Sequence, residues 1–259
     1  MTSSWEASFV KASSVRLHMR RQTAAGTPLL LLHGLGASGA VWASFARRLN
    51  PPWQCIAPDL RGHGESDHPI AGYEGQDYAG DLAAFMDQLE LESAPVIGHS
   101  LGALVAIALA AGYPGRVSAL VLLDPPLDEA IENPDIAEVY RLRKAPPGEL
   151  EAYLGAPILA PVFRAAADAA FGAILSAPRG AAWAWDLAPS IQAPVLLVQA
   201  DPLQGGVLGR EAAESFALRL PRGELLSIPG ASHTVHVSHP KQVTDTVLSF
   251  LDRAAPLMP

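Results

Sequence analysis

Gly98-His99-Ser100-Leu101-Gly102 joins two apolar runs of different character, and that junction limits the fold more than any other feature of the chain. Before it stands the short run Ala94–Ile97. After it comes an Ala/Leu-rich run of helical length, reaching Tyr113. The order is strand, sharp turn, helix, with a serine at the apex. A G-x-S-x-G turn places its serine in a strained backbone that pushes the hydroxyl out of the sheet. Gly98 and Gly102 lack the Cβ atoms that would collide where strand and helix cross closely. The helix N-terminus behind Ser100 aims free backbone N–H groups at any oxyanion forming there. The same pentapeptide also fits a plain glycine turn before a helix, so the rest of the chain has to decide.

Elsewhere the same alternation recurs. Val15–Met19 and Leu29–Leu32 read as strands, and the second runs into His33-Gly34-Leu35-Gly36. Val41–Leu49 reads as a helix closed by Asn50-Pro51-Pro52. Gln54–Pro58 is a buried strand leading into Asp59-Leu60-Arg61-Gly62-His63-Gly64-Glu65-Ser66. Tyr78–Leu89 is an amphipathic helix with Leu82, Phe85, Met86 and Leu89 on one face. Ala119–Leu123 is a further strand. After a long interval come the strands Val195–Gln199 and Glu224–Ile228 and the helices Ala212–Leu220 and Pro240–Arg253. This order predicts an α/β fold: a mostly parallel, doubly wound sheet of about eight strands. Residues 127–189 interrupt it with many Ala and Pro, short helical patches and the aromatics Tyr140, Tyr153, Phe163, Phe171, Trp183 and Trp185. So long a connection within one domain reads as a helical cap, leaving 1–126 and 190–259 as the core.

Composition removes several classes of function. Hydrophobic residues make up 49% of the 259 and charged residues 17%, which describes a globular chain. The formal charge of −8 offers no basic stripe for a nucleic acid. Cys55, the single cysteine, excludes an internal disulfide and lies in an apolar run, where a structural thiol is expected. Met1–Glu6 shows no signal-peptide pattern, and no apolar run reaches spanning length. The expectation is a cytoplasmic protein without a membrane partner, monomeric or homodimeric.

Four motifs in order give the chain a strong resemblance to the α/β-hydrolase fold, in its serine esterase and lactonase branch. They are His33-Gly34 after the third strand, the Asp59–Ser66 turn after the fourth, the Ser100 elbow after the fifth, and Pro229-Gly230-Ala231-Ser232-His233 after the last. The resemblance implies Ser100 as nucleophile and His233 as the base that takes its proton. It implies an oxyanion hole made of the Leu101 and Leu35 N–H groups. Gly34, His99, Trp183 and His236 are expected around the substrate pocket, His236 at its edge, while His239 takes a helix-start position. The H-x-x-H-x-x-H spacing of His233, His236 and His239 also invites a metal. Pro240 restricts His239 to extended backbone and no acid or cysteine lies nearby, so no metal and no cofactor are expected. The Asp59–Ser66 turn reads as a structural buttress.

The acid that orients His233 has two candidates. In the commonest family pattern it follows the strand ending at Gln199, but the usual slot holds Leu203, and Asp201 comes two residues early. Asp124, at the end of the preceding strand, stands twenty-four residues after Ser100, a spacing some family members use for the acid. Asp124 is the first choice and Asp201 the alternative, with Asp128 and Glu129 weaker.

Serine at the elbow excludes the dehalogenase and epoxide-hydrolase branches, which require a carboxylate nucleophile there. The resemblance then implies acyl transfer to water: hydrolysis of an ester or lactone of an apolar or aromatic small molecule. C–C bond hydrolysis, cofactor-free perhydrolysis and a slow-turnover small-molecule receptor remain as alternatives on the same scaffold.

Overall fold

A computed structural model describes residues 4–49, 51–127, 134–154, 160–175 and 181–255. Eight strands form one sheet: β1 (Trp5–Ala12), β2 (Val15–Gln22), β3 (Thr27–Leu32), β4 (Trp53–Pro58), β5 (Ala94–His99), β6 (Val117–Leu123), β7 (Val195–Gln199) and β8 (Gly223–Ser227). Their order across the sheet is β1-β2-β4-β3-β5-β6-β7-β8. β1 pairs antiparallel with β2, and β2 antiparallel with β4; every other pairing is parallel.

The central strands are apolar on both faces because helices cover both. Leu30, Leu32, Val96, Leu120, Leu122, Val195 and Leu197 share one core with α2 (Gly75–Gln88) and α3 (Leu101–Gly112). Leu29, Leu31, Ile97, Val121, Leu123, Leu196 and Val198 point the other way, into a core with α1 (Ala43–Leu49) and the C-terminal helix Pro240–Ala254. Each buried Leu, Ile or Val here contributes about 1.5–3 kcal/mol of transfer free energy. α3 has no polar face: every residue from Leu101 to Ala110 is buried, since α2 packs along it as well as the sheet. Cys55 lies within the second core, where burial pushes its thiol up to about 12 and leaves it unreactive.

Several elements differ from those expected from the sequence, three of them for a plain physical reason. β1 was not legible, because four of its first five residues are exposed and only its C-terminal half alternates. β2 continues past Met19 to Gln22, since Arg20 and Arg21 pair with β4 as well as β1. α2 begins at Gly75, where the Glu74 N–H donates to the Asp77 carboxylate at 2.9 Å and draws in one extra turn.

Between β6 and β7 the described residues form α4 (Pro134–Leu142), α5 (Glu149–Leu154), α6 (Ala160–Ala165), α7 (Asp168–Leu175) and α8 (Ala182–Leu187). Asp128 and Glu129 lie outside the described residues. Val139, Leu142, Leu150, Ala160, Ala166 and Phe171 form a separate small core there. Arg143 and Arg164 fasten it. Arg143 donates to the main-chain carbonyls of Phe163, Arg164 and Ala166, and Arg164 to those of Arg143, Ala145 and Pro146. The remaining helices are α9 (Arg210–Arg219), α10 (Val235–Ser238) and α11 (Pro240–Ala254). Among the described residues no helix is long and apolar enough to cross a membrane.

Candidate active site

β3 pairs with β4 on one side and with β5 on the other, so the chain changes winding direction there. In an open α/β sheet the crevice beyond the carboxyl ends of such strands is where ligands bind. The loops that leave β3 and β5 carry Leu35 and Ser100.

The elbow is strained. Ser100 has φ 53° and ψ −117°, a region few residues with a side chain occupy. Its N–H donates to the Leu123 carbonyl at 3.0 Å, and its own carbonyl accepts from Ala103 and Leu104 as the first turn of α3. A Cβ on Gly98 would strike the Gly102 carbonyl, and one on Gly102 would strike the carbonyls of Leu32 and His33. Both glycines are therefore demanded by the closeness of β3, β5 and α3. Gly34 fits beside the serine for the same reason: a Cβ there would stand 3.3 Å from that of Ser100.

The Leu101 and Leu35 N–H groups have no hydrogen-bond partner among the described residues. Leu101 opens α3, whose dipole adds to its pull on negative charge. The Leu35 loop is held by His33, a buried ring that donates from Nδ1 to the Gly34 carbonyl (2.8 Å) and accepts the Leu60 N–H at Nε2 (3.0 Å). That pair of bonds fixes the tautomer, and burial lowers the pKa of the ring. Leu60 belongs to the Asp59–Ser66 turn. There Asp59 accepts the N–H groups of Gly39 and Glu65 and contacts His18 Nδ1, while Arg61 pairs with Asp81 through two bonds of 2.6 Å.

Asp124 and Asp201 have different surroundings. Asp124 is fully buried with φ 45°, and its carboxylate accepts three donors: Ala200 N–H at 3.0 Å, Val207 N–H at 2.9 Å and His233 Nδ1 at 2.7 Å. A buried carboxylate requires such partners, and here they are complete. Asp201 accepts the N–H groups of Gly230 and Leu203 at 2.8 and 2.9 Å, and these bonds hold its carboxyl below the usual carboxylate range. Its partners tie the β7 exit to the turn before His233; the imidazole is not among them.

With Nδ1–H given to Asp124, the His233 ring turns its Nε2 edge away from that carboxylate, and the side chain is 29% exposed. No hydrogen bond joins Ser100 Oγ to that nitrogen among the described residues. His99, the residue before Ser100, also contacts His233. Its ring is 4.6 Å from that of His233, and its Nε2 stands 3.0 Å from the His233 carbonyl.

Two of the residues expected around the pocket, His236 and Trp183, have packing partners of their own. His236 is buried and stacked on Trp42 (centroids 4.6 Å apart, 29°), because the short helix α10 turns it inward. Burial lowers its pKa to about 3. Trp183 packs its ring tip on Gly75 at the start of α2, where a Cβ would stand 2.8 Å from it. Trp185 donates from Nε1 to the Leu127 carbonyl and meets Phe216 edge-on. His239 precedes α11 with its ring beside Ser238, so His233, His236 and His239 do not converge.

Phe163, one of the aromatics of 127–189, also stands against the Leu35 loop. Its ring covers Gly36 (φ 72°) so closely that any Cβ there would overlap it, and Leu35 touches both the central core and the small core of α4–α7. Nothing in the spacing of Gly36 and Phe163 signals that contact.

A sequence profile described as the alpha/beta hydrolase fold matches residues 27–170. The chain belongs to the α/β-hydrolase family. It is 31% identical over 257 residues to the 2-(acetamidomethylene)succinate hydrolase of Mesorhizobium japonicum, covering 90% of each chain. A solved structure of E-2-(acetamidomethylene)succinate hydrolase superposes with a TM-score of 0.79 at 26% identity, over 96% of this chain and 100% of that one. The enol-lactonase of Burkholderia xenovorans LB400 reaches the same TM-score at 21% identity, over 94% and 99%, a likeness of fold. For this α/β-hydrolase family member, such relatives support hydrolase activity.

Proposed function

We propose that the chain is a serine hydrolase that cleaves a carboxylic ester or lactone of an apolar or aromatic small molecule through an acyl-enzyme. The observation that carries this reading is the fully satisfied Asp124 carboxylate 2.7 Å from His233 Nδ1, with the opposite ring nitrogen left as a base beside the strained elbow.

Ser100 Oγ attacks the carbonyl carbon while His233 Nε2 takes its proton, and Asp124, remaining ionised, stabilises the imidazolium. The carbonyl oxygen gains charge toward the Leu35 and Leu101 N–H groups, which need no reorganisation to receive it. Collapse expels the alcohol, which takes the proton back from His233. Water then repeats the sequence on the acyl-serine and frees the acid. No step requires a cofactor.

The segment 127–189 acts in this reading as a lid. Phe163 on Gly36 and the neighbouring Leu35 side chain supply an apolar wall next to the oxyanion loop. Arg143 and Arg164 have their guanidinium groups engaged by main-chain carbonyls and by the Asp168 and Glu151 carboxylates, which favours an uncharged substrate.

A second reading has one observation behind it: a relative that matches 90% of the chain is named for an acetamido compound. The same residues would then cleave an amide, with nitrogen as the leaving atom. Matched p-nitrophenyl acetate and p-nitroacetanilide separate the two. Ester turnover lost in Ser100→Ala, with mass spectrometry finding an acyl group on Ser100, supports the first reading; undiminished turnover in that variant removes Ser100 from it.

A further inference from the structure

His99 touches three parts of the site at once: it precedes the nucleophile, lies against the oxyanion loop and bonds to the main chain of the base. We propose that His99 is a positioning residue, whose Nε2–H holds the backbone carbonyl of His233 and thereby sets the imidazole of His233 relative to Ser100 and Asp124. This rests on the serine-hydrolase reading.

The bond has a defined direction. A carbonyl oxygen only accepts, so at 3.0 Å His99 Nε2 carries the proton and Nδ1 carries the lone pair. The Nδ1 edge meets Gly34, where a Cβ would come within 3.0 Å of it. The ring of His233 lies 4.6 Å away on another side, tilted by 44°. His236 closes the back at 4.9 Å, edge-on, and is itself stacked on Trp42. His99 therefore cannot retreat from the carbonyl without displacing Gly34 or the His236–Trp42 stack.

The choice of donor also suits the chemistry. His233 becomes a cation during each acyl transfer, and a second cation one ring away would oppose it. Burial first, and the neighbouring His233 and His236 next, keep His99 neutral by lowering its pKa well below the ordinary imidazole value. A neutral N–H donor holds the carbonyl in both charge states of His233. The turn carrying His233 is anchored before it by Asp201 to Gly230 and after it by α10, while His99 ties the residue itself to the elbow strand.

The test uses the full chain and p-nitrophenyl acetate, with thermal melts alongside. His99→Phe keeps a flat ring and removes the donor; kcat is expected to fall about 10- to 100-fold with KM changed less than about threefold. His99→Gln, whose amide N–H reaches a similar place, is expected to recover most of that loss. His99→Phe turning over at the wild-type rate, or both variants losing the same factor, overturns the proposal. Wild-type enzyme without ester hydrolysis, or Ser100→Ala that retains it, overturns the serine-hydrolase reading instead. Should His99→Phe not fold, ¹⁵N imidazole spectra of the wild type decide. An Nε2–H tautomer that persists across neutral pH supports the bond, and an Nδ1–H tautomer overturns it.

Discussion

Asp124 Oδ2 accepts the Nδ1–H of His233 at 2.7 Å, although 109 positions of sequence separate them. The same carboxylate takes the Ala200 and Val207 N–H groups, so three donors converge on it and no group donates from it. Asp124→Asn must turn an amide NH₂ toward one of those donors. We predict a loss of about 1,000- to 10,000-fold in kcat, because the wrong imidazole tautomer becomes available. Asp201→Asn, which alters only a turn, should stay within about tenfold of wild type. Steady-state kinetics of both variants on one ester checks the assignment.

That contrast shows what the sequence could and could not carry. The elbow was legible because its serine and two glycines are demanded by backbone geometry that only such residues satisfy, and geometry of that kind leaves a local signature. The parallel strands were legible because strands covered on both faces are uninterrupted apolar runs. Spacing from Ser100 already put Asp124 ahead of Asp201, but the main-chain N–H groups that point at each carboxylate leave no local signature, and Val207 reaches Asp124 across 83 positions. The packing of His236 was out of reach for a similar reason. Its inward turn depends on the stack with Trp42, a partner no spacing rule supplies.

Phe163 should set acyl size. Its ring covers Gly36, next to the proposed oxyanion donor Leu35, and the residue is only partly buried. Phe163→Ala is expected to shift kcat/KM toward bulkier acyl groups by about tenfold, with a stability loss at the low end of the roughly 3–5 kcal/mol seen for buried Phe. Gly36→Ala should abolish activity, since it combines φ 72° with overlap of the same ring. A chain-length series of p-nitrophenyl esters gives the first result and shows the second as uniform loss.

Stability should fall in acid in a way traceable to buried histidines. Burial lowers His63 and His236 from 6.5 to about 3, with the nearby His33 and His233 adding to the effect. Between those values the unfolded chain binds a proton at each site that the native state refuses. Native stability is therefore full above about pH 6.5 and declines as pH falls toward 3, by about 1.4 kcal/mol per pH unit for each group. His236→Phe, which keeps a ring on Trp42, should flatten the slope by one such contribution. Urea melts between pH 7 and pH 4 measure it; an unchanged slope in the variant would show that His236 is not a buried neutral group.

The last prediction concerns strain at Ser100, the proposed nucleophile. Ser100 holds φ 53° and ψ −117° because β5 and α3 cross too closely for any other turn, and a residue with a Cβ is strained there by about 1–3 kcal/mol. Glycine is free of that cost but loses about 0.5–1 kcal/mol more chain entropy on folding. Ser100→Gly should therefore raise the stability of the fold by about 1 kcal/mol while removing the nucleophile. Ser100→Ala keeps the Cβ and with it the strain, so its stability should stay near that of the wild type. Both variants are inactive in this reading, and activity does not separate them; urea unfolding does. Equal stability of the two would place the elbow's strain outside Ser100, and a less stable glycine variant would mean that chain entropy outweighs it.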